Sequence, residues 1–103
     1  MNIQKMLKQA QEMQAKMAET QEELASKTVE ATSGGGKVTV VANGAGDVVS
    51  IKIDPSVVDP EDVEILEDLV LVAVKDAIEK AKGMAQDEMG KLTSGLNIPG
   101  LPF

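Results

Sequence analysis

Residues 33–48, SGGGKVTVVANGAGDV, run a glycine triplet into a lysine. Glycine-rich loops of this kind can cradle phosphates with backbone amides and an amine. A nucleotide loop needs four residues between its first Gly and the Gly-Lys pair, then Ser or Thr, then a helix. Here Val38 and a strand pattern follow Lys37, so no helix N-terminus is aimed at a phosphate. Gly44-Ala45-Gly46 lacks the third Gly and the helix of a dinucleotide fingerprint. The glycines read as turns that need φ > 0.

Three other groups could do chemistry. Asp59, Glu61, Asp62, Glu64, Glu67 and Asp68 could draw Mg²⁺ or Ca²⁺, but they lack the alternating loop ligands and Gly of an EF-hand. Acids in the first turns of a helix are expected from its dipole, so no metal site is assigned. Met6, Met13, Met17, Met84 and Met89 could form an adaptable partner groove; the plainer reading is that the N-terminal methionines pack on the C-terminal ones in a helix pair. The lysines near the N-terminus, Lys5, Lys8 and Lys16, could neutralise phosphates or could be ordinary solvated charge.

What is missing narrows the function more. The chain has no His, Cys, Trp, Tyr or Arg, and Phe103 is its only aromatic residue. Without His or Cys, thiolate or imidazole zinc sites and the usual nucleophile–base pairs are excluded. One aromatic residue leaves almost nothing on which single-stranded bases could stack. The residues argue against an enzyme, a cofactor or a small-molecule substrate. The formal charge of −7 is uneven. Residues 1–17 carry three Lys against one Glu, whereas residues 54–82 carry nine acids against three Lys.

The elements that must hold these residues are legible from period and punctuation. At 103 residues and 43% apolar composition, the chain is long and apolar enough for one globular domain. No apolar run approaches the roughly 18 residues of a membrane span, and the polar–apolar N-terminus lacks the apolar core of a secretory signal. Residues 1–27 predict a helix. They are rich in Gln, Lys, Glu, Ala and Met, with Ile3, Ala10, Met17 and Leu24 at heptad spacing and Met6, Met13 and Thr20 three residues further on. That seam faces one other helix, and Lys5 and Lys8 lie off it.

Residues 28–54 change to a period of two. Val38, Val40 and Ala42 form one inward set and Val49, Ile51 and Ile53 another, with Thr28–Ser33 a weaker strand. Short glycine loops between them predict a three-stranded antiparallel meander. Asp59-Pro60 then starts a second helix over 59–94, with Asp59 as its N-cap. Leu69, Val70, Leu71, Val72, Ala73 and Val74 form an unbroken apolar run inside it. A helix apolar all round must be covered on more than one side. One small sheet covers one side, so these six residues are read as a dimer interface. The domain is set at 1–95. Residues 96–103, with two prolines, form a tail whose Leu96, Ile98, Leu101 and Phe103 either fray or dock on a partner or on the domain.

Several stretches together resemble the YbaB/EbfC family of nucleoid-associated proteins. They are Met6-Leu7-Lys8-Gln9-Ala10-Gln11-Glu12-Met13-Gln14, Ile53-Asp54-Pro55-Ser56, Leu66-Glu67-Asp68-Leu69-Val70 with Asp76-Ala77, Met89-Gly90-Lys91-Leu92-Thr93-Ser94-Gly95-Leu96, and Pro99-Gly100. They span nearly the whole chain in order. The resemblance implies an α/β fold of the α+β kind, with an N-terminal helix, a three-stranded antiparallel sheet and a long C-terminal helix. It also implies a tweezer-like homodimer in the cytoplasm, associated with the nucleoid. Such a protein binds double-stranded DNA with little sequence preference and without catalysis. On that reading Lys5, Lys8 and Lys16, then Lys80, Lys82 and Lys91, meet phosphates. The alternative is a protein-interaction adaptor that uses the acidic helix, the methionine seam and the tail.

Overall fold

A computed structural model of the chain describes residues 2–94, with side chains described to residue 92. The C-terminal tail read from the sequence lies outside these residues. The order is α1 (Ile3–Ser26), β1 (Thr28–Ser33), β2 (Val38–Asn43), β3 (Val48–Ile53), a 3-10 turn (Pro55–Val57) and α2 (Val63–Ser94). This is the α+β class and the helix–sheet–helix order that the periodicities predict.

The α1 helix begins at Asn2, whose side chain accepts a hydrogen bond from the Lys5 amide at 3.3 Å. It ends where the Lys27 amide donates to the carbonyls of Glu23 and Leu24. The three strands form one antiparallel sheet in the order β1-β2-β3. Gly34, Gly35 and Gly36 turn the chain from β1 to β2 with φ of 60°, 68° and 90°, which side chains with a Cβ rarely adopt. Lys37 belongs to that turn rather than to β2; its Nζ lies 3.6 Å from the Asp54 carboxylate. In the next turn Asn43 Oδ1 accepts hydrogen bonds from the amides of Ala45 and Asp47, both at 3.0 Å.

The core lies between the sheet and α2. Ala73, Ala77 and Ala81 recur at the helical i, i+4 spacing and are fully buried against Val38, Val40, Ala42 and Ala31. Their small side chains let the helix lie close to the sheet. The helix runs antiparallel to β1: the Ser33 hydroxyl donates to the Leu69 carbonyl at 2.6 Å, and Lys80 Nζ donates to the Glu30 carbonyl at 3.0 Å. Past Ala81 it therefore overshoots the sheet at the end where α1 arrives.

Three features depart from the sequence reading. First, α2 begins at Val63, later than Asp59-Pro60 predicts. Asp59 caps only a turn, with its Oδ1 accepting from the Glu61 amide at 2.9 Å, and Asp54 caps the separate 3-10 turn. Second, β3 carries a bulge. Val41 pairs with Ser50 and Ala42 with Val48, so Val49 is the additional residue. Directly opposed residues share a face, which puts Val48, not Val49, on the side of Ile51 and Ile53. Third, all six residues of β3 are exposed, although its apolar alternation predicts a half-buried strand. The physical reason is placement: α2 lies over β1 and β2 and covers little of β3.

Candidate nucleic-acid interface

Lys5, Lys8 and Lys16 are exposed on α1. At about 100° per residue, Lys5 and Lys16 point within about 20° of one direction and Lys8 about 60° away. Glu12 shares that face, one turn from both Lys8 and Lys16. Ile3, Met6, Leu7, Ala10 and Met17 occupy the opposite side. Among the described residues none of the three lysines has an acidic group within ion-pair distance, whereas Lys27 pairs with Glu88 and Lys37 with Asp54.

The lysines of α2 are in different settings. Lys80 is turned onto the Glu30 carbonyl at the β1 edge, beside Asp76 and Glu79. Lys82 and Lys91 are exposed toward the far end of the helix. The hydrogen bond from Lys27 and the charge of that lysine, and more weakly the charge of Lys91, hold the Glu88 carboxyl below its ordinary range. The structure thus groups Lys5, Lys8 and Lys16 on one element and distributes the other three along a second.

Lys27 was not singled out by the sequence. Its amine meets Glu88 at 3.0 Å and ties the end of α1 to α2 across 61 residues of chain. The second tie is the Gly44 amide, which donates to the carbonyls of Leu24 and Lys27 at 2.8 and 3.0 Å. A Cβ at Gly44 would lie 2.7–2.8 Å from Leu24 atoms, including its carbonyl oxygen, so the turn meets the helix at bare backbone.

The apolar run of α2 divides by helical direction. Ala73 is buried in the chain's own core, and Leu69, Val70 and Val74 pack partly against it. Leu71 and Val72 remain 53% and 49% exposed. Beside Leu71 a shallow groove of about 480 Å³ is lined by Ile53, Leu66, Glu67, Val70, Leu71 and Val74. It joins the open β3 edge, so one apolar surface runs from the helix onto Ile51 and Ile53. Among the described residues no three acidic groups converge to hold a metal ion. No helix among them is long and apolar enough to cross a membrane.

A three-stranded meander backed by one long helix, with a second helix leaving the end of the sheet, defines a small α+β protein with a lysine-bearing arm. The chain belongs to the YbaB/EbfC DNA-binding family, whose model matches residues 1–96. It is 56% identical over 100 residues to a nucleoid-associated protein of Pelotomaculum thermopropionicum, covering 97% of this chain and 95% of the relative. It is 60% identical over 100 residues to one of Thermoanaerobacter pseudethanolicus, covering 97% and 90%. The fold also matches the crystal structure of an uncharacterized protein from Helicobacter pylori, with a TM-score of 0.80 at 22% identity over 90% of this chain and 98% of that one. The family is described as DNA-binding, and the named relatives are described as nucleoid-associated proteins.

Proposed function

We propose that this chain acts as a homodimer that binds double-stranded DNA through lysine–phosphate contacts with little sequence preference, on the nucleoid and in the cytoplasm. The observation that carries the reading is the α1 lysine face. Lys5, Lys8 and Lys16 lie on an exposed helix without an acidic partner, opposite an apolar stripe. They span 11 residues, or about 17 Å along the axis, which is about half of one turn of duplex DNA. Lysine amines on flexible stems neutralise phosphates but carry no fork for reading guanine. Lys82 and Lys91 extend the same chemistry to the end of α2; Lys80 joins them only by releasing the Glu30 carbonyl. The acidic start of α2 repels a duplex and so favours approach by the lysine-bearing ends.

The apolar surface of Ile51, Ile53, Val70 and Leu71 supports the dimer half of the proposal. An exposed sheet edge with apolar side chains is a template for pairing with another chain. Leu71 and Val72 are the most open members of the six-residue run read as an interface.

The test is a mobility shift at low salt with wild type and a variant carrying Lys5→Glu, Lys8→Glu and Lys16→Glu. Each phosphate contact contributes about −0.9 to the slope of log K against log salt. The triple variant should lose most of its binding and flatten that slope. Equal binding and equal slopes would remove α1 from the interface.

A further inference from the structure

The N-terminal half of α1 carries an apolar stripe that no described element covers. Ile3, Met6 and Leu7 are 69%, 55% and 58% exposed, although they continue the seam that ends in buried Leu24. At the buried end, Gln21, Leu24, Ala85 and Met89 line one groove between α1 and α2. Both helices leave the same end of the sheet, where Gly44 and Lys27 tie α1 down.

Their lengths do not match. From Leu24 back to Ile3 the arm runs about 32 Å, whereas α2 continues past Ala85 for about 14 Å. About 18 Å of stripe is left beyond the end of α2. The next chain segment starts there. We propose that residues 95–103, GLNIPGLPF, lie along this stripe over Ile3, Met6, Leu7 and Ala10 and brace the arm within one chain.

Three properties of the segment fit that place. Nine residues reach about 30 Å when extended, enough to follow the uncovered stripe to its end. Leu96, Ile98, Leu101 and Phe103 supply large apolar groups, and the segment has no charged side chain. It therefore complements the apolar side of α1 and offers nothing to the lysine side. Pro99 and Pro102 favour an extended course over a third helix. The arm gains a cover while Lys5, Lys8 and Lys16 stay open. The proposal does not depend on DNA.

The chain has no cysteine of its own, so engineered pairs report on proximity without background. Leu7→Cys with Ile98→Cys should oxidise readily to an intrachain disulfide. Lys5→Cys with Ile98→Cys, on the opposite side of the helix, should not. Equal oxidation of both pairs, or an interchain disulfide in the first, overturns the proposal; the interchain product would assign the stripe to a second copy. A cysteine-free measurement checks the same point. Replacing Leu101 and Phe103 by Asp should speed amide exchange across residues 3–14 about tenfold while the β2 amides keep their protection. Unchanged exchange in 3–14 also overturns it.

Discussion

Glu88 shows what single side chains contribute to positioning the arm. The hydrogen bond from Lys27, and then the charge of that lysine, hold its carboxyl below the usual value of 4.5. A carboxylate whose folded pKa is depressed contributes stability above its unfolded pKa and loses it as pH falls through the folded value. Glu88→Gln should therefore be less stable than wild type at pH 7 in urea titrations. The two should converge once the pH is below the folded pKa of Glu88, because the protonated acid offers Lys27 no charge. A gap that stays constant down to acid pH would show that the pair is not what distinguishes them. The sequence could not disclose this contact. Lys27 and Glu88 are 61 residues apart, and each looks like solvated charge on its own helix. Lys80 is similar: its type and spacing read as a phosphate contact, but only the packed structure brings the Glu30 carbonyl to its amine.

At the scale of elements, one of the two ties that hold α1 requires a glycine. Gly44 is not in the left-handed region, so its small size matters rather than its backbone freedom. A methyl group there meets the Leu24 side chain and carbonyl together, and a backbone oxygen cannot rotate aside. Gly44→Ala should cost about 1–3 kcal/mol, the usual range for overpacking, measured as a shift in the denaturation midpoint. Proteolysis should show α1 released before the sheet. A midpoint unchanged from wild type would mean that the turn gives way freely. Much of the element structure was readable in advance, because local period decides it: Val38, Val40 and Ala42 alternate as the buried face of β2, and the glycine triplet turns where the strands must reverse. The β3 bulge was not readable, since Val48-Val49 offers two equivalent residues and only pairing with Ala42 chooses between them. The start of α2 was misplaced because Asp59-Pro60 can cap a turn as well as a helix. The heptad seam of α1 correctly marks an apolar side, but a period cannot say how far the neighbouring helix extends along it.

The described residues form an extended body, with a radius of gyration of 19.9 Å against about 13 Å for a compact chain of 100 residues. Its core is built from alanines and valines, while larger apolar residues such as Ile51, Ile53 and Leu71 stay outside it. A lone subunit thus keeps much of its best burial material in water, and the proposed second copy would return it to a core. In the sequence LVLVAV reads as a run that needs more cover than one sheet gives; only the packed structure shows that β3 continues the same surface. Ile53→Lys combined with Leu71→Asp places charge on both sides of the groove without touching α1. Light scattering should give about twice 10.8 kDa for wild type and the single-chain mass for the variant, with helical circular dichroism retained. A wild-type monomer, or a variant that stays paired, would sink the interface. DNA binding offers an independent reading of the same event. With three lysine contacts per arm, two arms on one duplex give a salt slope of about −5.4 and a single arm about −2.7. The variant should therefore keep its lysines and still lose half the slope. A variant that is monomeric but binds with the full slope would show that each chain meets DNA alone, and that pairing serves stability and not recognition.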